Sequence, residues 1–325
     1  MSAITDREKN VQAAWSRRLY QTKTGRFFLR AVFLRRWFSQ LGALYFDSAW
    51  SRRRIRRFIT EYGIDLTKYE PARYRSFNDF FIRKLKSGQR PVESEPAAVI
   101  SPADGLLSAV RLTGDATFLV KGQSYSVATL LGAVDGKANP AQHIPTSDSG
   151  AAKSDQNKKK PAAGTATKLA EKTERLQIAQ KFANGLALII RLRVQDYHRY
   201  IYMDSGTAGQ PHRIAGKYHT VAPIGLEHTA VWQENSREWQ SLCYDNIGEI
   251  IQVEVGAMLV GRIVNHAAST FARGDEKGYF CFGGSTIVLL TQAGQLQLNP
   301  EFESCFEEEI PVLQGETIGR AQRSP

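Results

Sequence analysis

The sequence is poor in cysteine and contains no long uninterrupted hydrophobic run. Its 325 residues include three cysteines, Cys243, Cys281 and Cys305, whose spacing fits neither a disulfide framework nor a zinc site and favours a reducing compartment. The most apolar stretch near the N-terminus, residues 27–46, is interrupted by three arginines. Its apolar runs are therefore too short to span a membrane. The first ten residues also lack an apolar core, so we expect no secretory signal.

Other absences narrow the fold class. The chain has no glycine-rich phosphate loop, no regular alternation of strand and helix patterns, and no cluster of residues with metal-ligand spacing. A doubly wound α/β fold is therefore disfavoured, and we expect no metal. With 42% hydrophobic and 23% charged residues, the composition is that of a folded globular protein. We predict an α+β protein with a predominantly β catalytic core.

The positive charge is concentrated at one end of the chain. Residues 1–60 contain 14 Lys or Arg and 3 Asp or Glu, a surplus that equals the net charge of +11 for the whole sequence. A neutral body with a basic N-terminal region indicates an anionic surface as partner. The arginine-rich run at residues 52–57 could also bind nucleic acid, but no nucleic-acid-binding motif accompanies it. We therefore predict an anionic membrane surface and no nucleic acid.

The same region has helical periodicity from about residue 11 to residue 62. Lys23, Arg26 and Arg30 recur at helical spacing, and apolar residues lie away from them, as in a basic amphipathic helix in the headgroup plane of a membrane. The alternative is a surface helix that packs on its own domain. We predict that residues 1–90 form this membrane-contact region and that a further short helix follows Ser76 or Asn78.

Residues 91–325 have the sequence pattern of short strands and turns and form the predicted core. β-like segments recur at residues 98–101, 106–112, 117–120, 186–194, 250–255, 259–264 and 286–291. Residues 136–173 are rich in Ala, Lys, Ser, Pro and Gly, without periodicity, and predict a disordered surface insertion.

Three short segments of the core carry candidate catalytic groups. Asp104 lies in SPADG, His198 in QDYHRY after an apolar strand, and Ser285 in FGGSTIVLL. Taken alone, each segment is more often structural, a turn or a structural histidine, than catalytic. Together they supply an acid, a base and a nucleophile, which are recognised by role and not by their order in the chain.

The sequence resembles the proenzymes of the phosphatidylserine decarboxylase family. The likeness runs from about residue 20 to residue 311, apart from the predicted insertion. It rests on eight blocks in family order: SFNDFFIRKLK, SPADG, KFANGLALIIRL, DYHRY, HTVAPI, ENSREW, VEVGAMLVGRI and RGDEKGYFCFGGSTIVLL. Any one block is weakly specific, whereas eight in sequence are highly specific.

The resemblance implies a self-cleavage between Gly284 and Ser285. Ser285 would attack the carbonyl of Gly284, giving a large subunit of residues 1–284 and a small subunit of residues 285–325 whose first residue becomes a pyruvoyl group. That covalent cofactor would form a Schiff base with the amine of phosphatidylserine and accept the electrons left by carbon dioxide. By the same resemblance, Asp104, His198 and Ser285 form a catalytic triad.

One position departs from the family pattern. Many members carry a second histidine three residues after the first, where this chain has Ile201. Either His198 serves both cleavage and decarboxylation, or another histidine takes one step, and His219 is the candidate. The alternative for His219 is a solvated histidine at a strand end.

The resemblance therefore implies a peripheral enzyme of the cytoplasmic face of the cell membrane, with its two subunits associated. Further assembly into a homo-oligomer is left open. Two other functions remain open. The chain could be a noncatalytic membrane-surface protein of the same fold, or a pyruvoyl decarboxylase of a soluble amino-acid derivative.

Overall fold

The computed structural model describes residues 20–28, 36–134, 163–257, 262–283 and 285–322. Its N-terminal part is a set of short helices. They are α1 (Lys23–Phe28), α2 (Arg36–Asp47), a 3₁₀ turn (Ala49–Arg52), α3 (Arg53–Tyr62), a second 3₁₀ turn (Leu66–Lys68) and α4 (Phe77–Phe81). No helix within these described ranges is long and apolar enough to cross a membrane.

Helix α4 confirms the short helix predicted after residue 75. Its N-cap is Ser76, whose side chain accepts a hydrogen bond from the backbone nitrogen of Asp79 at 3.1 Å. This bond satisfies a donor that the first turn leaves without a partner inside the helix. Three phenylalanines of α4 pack with Phe46 of α2 in a buried aromatic cluster (Phe46, Phe77, Phe80, Phe81), against which Phe282 of the core also packs.

The core is built from antiparallel strands. They are β1 (Ala98–Ile100), β2 (Gly105–Arg111), β3 (Thr117–Val120), β4 (Gln123–Ser126), β5 (Leu186–Leu192), β6 (Arg199–Ile201), β7 (Gly206–Ala208), β8 (His212–Ile214), β9 (Arg237–Tyr244), β10 (Gly248–Gly256), β11 (Ile263–Asn265), β12 (Thr270–Phe271), β13 (Glu276–Phe280), β14 (Ser285–Thr291), β15 (Leu296–Leu298), β16 (Ile310–Val312) and β17 (Thr317–Ala321).

Nine of these strands form one central sheet. Its order is β12-β7-β9-β10-β14-β5-β2-β16, and β8 also pairs with β9. Two three-stranded sheets, β11-β13-β6 and β1-β17-β15, and the β3-β4 hairpin complete the core. Short helices lie between the strands: α5 (Val127–Leu130), α6 (Ala163–Lys181), α7 (Pro223–His228), α8 (Val231–Glu234) and a 3₁₀ helix (Pro300–Phe306). A sheet-rich core preceded by helices confirms the predicted α+β class.

The central sheet is covered by apolar side chains on both faces. Along β14, Ile287 and Leu289 belong to one buried cluster, whereas Val288 and Leu290 belong to another. Successive side chains of a strand point to opposite faces, so each cluster covers one face of the sheet. All seven residues of β14 are buried. The strand that begins at Ser285 therefore lies in the middle of the core.

The predicted disordered insertion is wrong for residues 163–173, because α6 runs from Ala163 to Lys181. Ala, Lys, Glu and Gln dominate this segment, and all four favour helices. The segment of biased composition ends at residue 173, before the residues that attach the helix to the core. Ala179 and Phe182 are buried in the second apolar cluster. Residues 135–162 lie outside the described part of the chain.

Candidate active site

The strand register brings two of the three predicted catalytic residues to the same end of the central sheet. Ser285 pairs with Gly256 of β10 on one side and with Leu192 of β5 on the other. Leu106 of β2 pairs with Arg191 of β5. If this register is extended by one residue, Gly105 lies opposite Leu192. Neighbouring strands lie about 4.8 Å apart, so Gly105 lies about 10 Å from Ser285 across β5. Asp104 immediately precedes this glycine.

The turn into β2 requires glycine at position 105. A Cβ atom there would lie 2.9 Å from the backbone oxygen of Arg191 on β5, a distance that real Cβ atoms essentially never show. The Asp-Gly pair of SPADG therefore has a steric cause beyond the turn itself. It lets β2 approach β5 closely, and this approach fixes where Asp104 enters the sheet.

Ser285 is a buried hydroxyl without a hydrogen-bond partner. Its side chain is fully buried, and Oγ makes no hydrogen bond to the residues that the structure describes. By strand alternation it shares the face of Ile287, which is the face covered by β6 and β13. Gly283, two residues earlier, has a φ of 141°, a conformation open to glycine and strained for other residues. Gly284 lies outside the described residues.

His198 lies just before β6 and is also fully buried. Its Nδ1 lies 2.9 Å from the backbone oxygen of Asp196. A carbonyl oxygen can only accept, so Nδ1 carries the proton and Nε2 has a free lone pair. Nε2 makes no hydrogen bond within the described part of the chain, although the Gly283 backbone lies close enough to affect the ring. The ring packs 4.1 Å from that of Phe81, centroid to centroid.

Burial keeps this histidine neutral. Loss of hydration lowers the pKa of His198 from 6.5 to about 3; Arg83 acts in the same direction, and Asp104 and the backbones of Asp196 and Gly283 oppose it. A charged imidazole is disfavoured wherever water cannot solvate it. At neutral pH the group is therefore an unprotonated imidazole with its Nε2 lone pair exposed to the interior of the site.

Asp104 does not hydrogen-bond to His198. Its two carboxylate oxygens accept from Nε and Nη2 of Arg90 at 2.8 and 2.5 Å, and the backbone nitrogen of Gln314 donates to Oδ1 at 2.8 Å. The structure thus brings Asp104 into the electrostatic neighbourhood of His198 but gives the imidazole another orienting partner, the Asp196 carbonyl. The hydrogen-bonded triad implied by the resemblance is not formed in this arrangement.

Two further residues of the site were not predicted. Arg90 pairs with Asp104 and follows Gln89 in a segment without a recognisable motif, so no sequence pattern pointed to it. The side chain of Gln314 donates to the backbone oxygens of Pro102 and Arg199 at 3.2 and 2.8 Å. It thereby ties the SPADG segment to β6, a contact across 115 residues of sequence that no local pattern reveals.

Ile201, at the departure from the family pattern, lies beside the SPADG segment. Its backbone nitrogen donates to the Pro102 oxygen at 3.0 Å, and its side chain is buried in the first apolar cluster. The position of the second family histidine is therefore close to Asp104, and in this chain it is filled by an aliphatic side chain. The positive partner of Asp104 in this chain is Arg90.

His219 lies elsewhere, in a polar cluster of its own. Its Nε2 is 3.3 Å from a carboxylate oxygen of Glu234, and its Nδ1 is 3.4 Å from the hydroxyl of Tyr20. The contact with His219 is the main reason that the pKa of Glu234 lies well below its usual range. The side chain is 6% exposed, so the solvated alternative is wrong.

Asn235 connects this cluster to the strand that pairs with Ser285. The Asn235 side chain donates to the backbone oxygens of His219 and Gly256, both at 2.8 Å. Gly256 is the β10 partner of Ser285. His219 thus contacts the site through the backbone of its neighbours, and no hydrogen bond or ion pair joins its ring to Ser285, His198 or Asp104 among the described residues.

A buried serine hydroxyl, a buried neutral imidazole and glycines just before that serine are groups suited to acyl transfer at the backbone. Comparison with known proteins makes this chemistry specific. The family model described as phosphatidylserine decarboxylase matches residues 77–320. Phosphatidylserine decarboxylase proenzyme 2 of Clostridium acetobutylicum is 35% identical over 314 residues, which cover 96% of this chain and 94% of the relative.

Two further relatives show the same extent of similarity. The phosphatidylserine decarboxylase proenzyme of Clostridium perfringens is 32% identical over 94% of this chain and 91% of its own length. That of Desulfitobacterium hafniense is 33% identical over 92% of this chain and 89% of its own length. The chain therefore belongs to the phosphatidylserine decarboxylase family, as the eight sequence blocks predicted. The family consists of pyruvoyl-dependent carboxy-lyases made as proenzymes, and its reaction is the decarboxylation of phosphatidylserine.

Proposed function

We propose that this chain cuts itself between Gly284 and Ser285 and then decarboxylates phosphatidylserine at the new N-terminus of the small subunit. The observation that carries the proposal is that Ser285 Oγ and His198 Nε2 are both buried and make no hydrogen bond to the residues that the structure describes, while the backbone of Gly283, two residues before Ser285, acts on the His198 ring. A buried polar atom without a partner is costly in a folded protein, and here both atoms belong to residues that the family resemblance assigns to catalysis.

The first step is a transfer of the acyl group from nitrogen to oxygen. Ser285 Oγ attacks the carbonyl carbon of Gly284 while His198 Nε2 takes the hydroxyl proton. The C–N bond then breaks, and the Ser285 nitrogen gains a proton, which leaves an ester between Gly284 and the serine oxygen. A neutral imidazole with a free lone pair suits this proton transfer.

The second step breaks the chain. Loss of the Ser285 α-proton and cleavage of the Cβ–Oγ bond release Gly284 as a carboxylate and leave a dehydroalanine at residue 285. This residue tautomerises to an imine, and one water molecule hydrolyses it to the pyruvoyl group and ammonia. The large subunit then comprises residues 1–284, and the small subunit comprises residues 285–325.

The site fits the resulting group. A pyruvoyl group at position 285 would occupy the buried start of β14: Cβ, which loses the hydroxyl oxygen, would become a methyl group, and Cα, which loses its nitrogen, would become the ketone carbon. When formed, it supplies an electrophilic ketone and an electron sink for decarboxylation. His198 lies in this neighbourhood as a neutral base, and we assign it to proton transfer in both stages. His219 holds Glu234 and Tyr20 and has no assigned proton transfer.

We further propose that the N-terminal helices bind the cytoplasmic face of an anionic membrane. Leu41, Leu44 and Trp50 are exposed by 56%, 67% and 71%. Five exposed arginines follow them on the 3₁₀ turn and α3: Arg52, Arg53, Arg54, Arg56 and Arg57. Exposed apolar side chains beside arginines are typical of helices that lie in the headgroup layer.

The arginines contact the aromatic members of this surface. The Arg53 guanidinium lies 4.8 Å from the centre of the Trp50 ring, and that of Arg54 lies 5.4 Å from the Tyr45 ring. Such pairs suit the boundary between acyl chains and phosphates, because each has an apolar body and a cationic end. Of the basic residues predicted for membrane contact, Arg30 and Arg35 lie outside the described residues, as do the side chains of Lys23, Arg26 and Arg36.

Replacement of the serine tests the catalytic proposal. Ser285→Ala removes both the attacking hydroxyl and the precursor of the pyruvoyl group. We expect one uncleaved chain without decarboxylase activity, whereas the wild-type protein gives two fragments and a pyruvoyl terminus by intact-mass spectrometry. Two normal fragments from Ser285→Ala would refute the assignment.

A further inference from the structure

We propose that Asn78 is a positioning residue for self-cleavage: from helix α4 it holds the backbone just before the scissile bond. The inference rests on the proposed function of Ser285. It adds a role for the N-terminal helices in the maturation of the chain, in addition to their proposed role in membrane contact.

The segment that Asn78 contacts joins two different sheets. Strand β13 ends at Phe280 in the three-stranded sheet, and β14 begins at Ser285 in the central sheet. Four residues, 281–284, make this crossing, and the last two are glycines. Glycine has more backbone freedom than any other residue. Attack on the Gly284 carbonyl needs a fixed geometry, so something outside the segment has to restrict it.

The Asn78 side chain makes the required contact. Its Oδ1 accepts a hydrogen bond from the backbone nitrogen of Phe282 at 2.9 Å, two residues before Gly284. Its Nδ2 donates to Oδ1 of Asp47 on α2 at 2.6 Å. A carboxylate only accepts, so Asp47 fixes which end of the Asn78 amide faces Phe282. The Asn78 side chain is buried, with 6% exposed, and thus has little freedom to turn.

Helices α4 and α2 also contact the side chain of Phe282, and α4 contacts His198, the proposed general base. The centroid of the Phe282 ring lies 4.1 Å from Phe46, 4.9 Å from Phe77 and 5.1 Å from Phe81. Phe81 in turn packs against His198. Helix α4 therefore contacts the cleavage segment through Asn78 and contacts His198 through Phe81, so the loss of the Asn78 amide leaves the contact with His198 in place.

The role of this contact ends when the chain is cut. Cleavage turns residues 281–284 into the free C-terminal end of the large subunit, which is no longer linked to Ser285. A positioning residue for the scissile bond should therefore govern the rate of cleavage and leave the turnover of matured enzyme unchanged. A residue that only stabilises the fold would affect both.

The first variant is Asn78→Ala. We expect self-cleavage, followed on gels after expression, to slow by about 10- to 100-fold, since small misplacements of reacting groups have effects of this size. Decarboxylation by the fraction that does mature, divided by its pyruvoyl content, should stay within about twofold of wild type. Thermal unfolding of Ser285→Ala with and without Asn78→Ala shows whether the uncleaved chain is folded.

An exchange of the two side chains provides the matched control. Asn78→Asp alone sets two carboxylates against each other and should slow cleavage. Asn78→Asp combined with Asp47→Asn restores the pair, because the amide at position 47 can donate to the carboxylate at position 78, whose other oxygen accepts from Phe282. We expect the double variant to recover cleavage to within about threefold of wild type.

The outcomes separate the two proposals. Wild-type cleavage in Asn78→Ala, equal losses of cleavage and turnover, or no recovery in the exchanged pair would each overturn the positioning role. If Asn78→Ala does not fold, the exchanged pair decides. Cleavage of Ser285→Ala, assayed in parallel, would instead overturn the proposed function. An uncleaved Ser285→Ala with rapid cleavage of Asn78→Ala would remove only the role of Asn78.

Discussion

The N-terminal helices and the β core distribute polar and apolar side chains in opposite ways. The helices expose Leu44 and Trp50, whereas the core buries Lys277 and Glu254 as a fully enclosed ion pair at 2.8 Å. Each region thus departs from the usual partition of apolar inside and polar outside. The exposed apolar side chains of the helices form the proposed membrane contact. Ser285 and His198 are among the buried polar side chains of the core.

The largest expected effect concerns the two histidines, one in the core site and one in the separate polar cluster. His198→Ala should abolish self-cleavage or slow it by about 10²- to 10⁴-fold, the usual contribution of a general base. His219→Ala should cleave within about threefold of wild type, because its ring binds Tyr20 and Glu234 and not the site. Cleavage on gels and turnover per pyruvoyl group, measured separately, decide between one histidine and two. Normal cleavage in His198→Ala would overturn the assignment of the base.

The Arg90–Asp104 pair gives the next largest effect. Asp104→Ala leaves the half-buried guanidinium without its carboxylate and should cost about 3 kcal/mol of unfolding free energy while it slows cleavage. The double variant Asp104→Leu with Arg90→Leu removes both charges and should recover most of that stability. Denaturant unfolding of the uncleaved Ser285→Ala background measures the first quantity, and a cleavage time course measures the second. If cleavage recovers together with stability, Asp104 has only a structural role.

Charge reversal tests the helices independently of the core. Each Lys or Arg near an anionic surface contributes about 1 kcal/mol, so reversal of Lys23, Arg26, Arg30, Arg35 and Arg36 should weaken binding to anionic vesicles by at least about tenfold. Binding of the wild-type protein should also weaken as salt rises, since charges are screened over about 8 Å at physiological ionic strength. Self-cleavage should continue. If the fraction of protein that sediments with anionic vesicles changes neither with salt nor with these substitutions, an electrostatic role is refuted.

Counted per pH unit, the smallest expected change in stability is the pH dependence that comes from the buried histidine. Because the pKa of His198 is lowered to about 3 in the folded chain, the unfolded chain binds a proton below pH 6.5 that the folded chain does not. Stability from this group should therefore fall as the pH decreases from 6.5 towards 3, by at most about 1.4 kcal/mol per pH unit. The difference in unfolding free energy between Ser285→Ala and Ser285→Ala with His198→Phe isolates it from the carboxylates. Equal pH slopes in the two proteins would contradict a neutral buried His198.

The sequence predicted local features of the fold well. The β-like segments located β2, β5 and β14, and the predicted cap at Ser76 or Asn78 includes the cap that the structure shows for α4, Ser76. The boundary of α6 was missed because its anchoring residues, Ala179 and Phe182, follow the segment that composition marked as disordered. The composition of residues 136–173 carries no information about contacts made by residues that follow this segment.

The sequence motifs named candidate site residues and not their partners. They proposed Asp104, His198 and Ser285, but whether Asp104 faces His198 or Arg90 depends on strand register and on contacts between distant segments. Asn78 shows the same limit, since 204 residues separate it from Phe282 and its motif predicts only a helix. Local patterns identify the groups that do chemistry and leave their neighbours to tertiary structure.

The central position of β14 has a consequence for quality control. The proposed cut would free the N-terminal end of a strand that is paired on both sides, with β10 and β5, while β16 and β17 of the same fragment pair with β2 and β1. The two products would thus be interlocked from the moment they exist, and neither presents a complete sheet alone. Because the nucleophile reaches its place only when this sheet has formed, a misfolded chain would never acquire its prosthetic group. Possession of the cofactor would then certify that the molecule had folded.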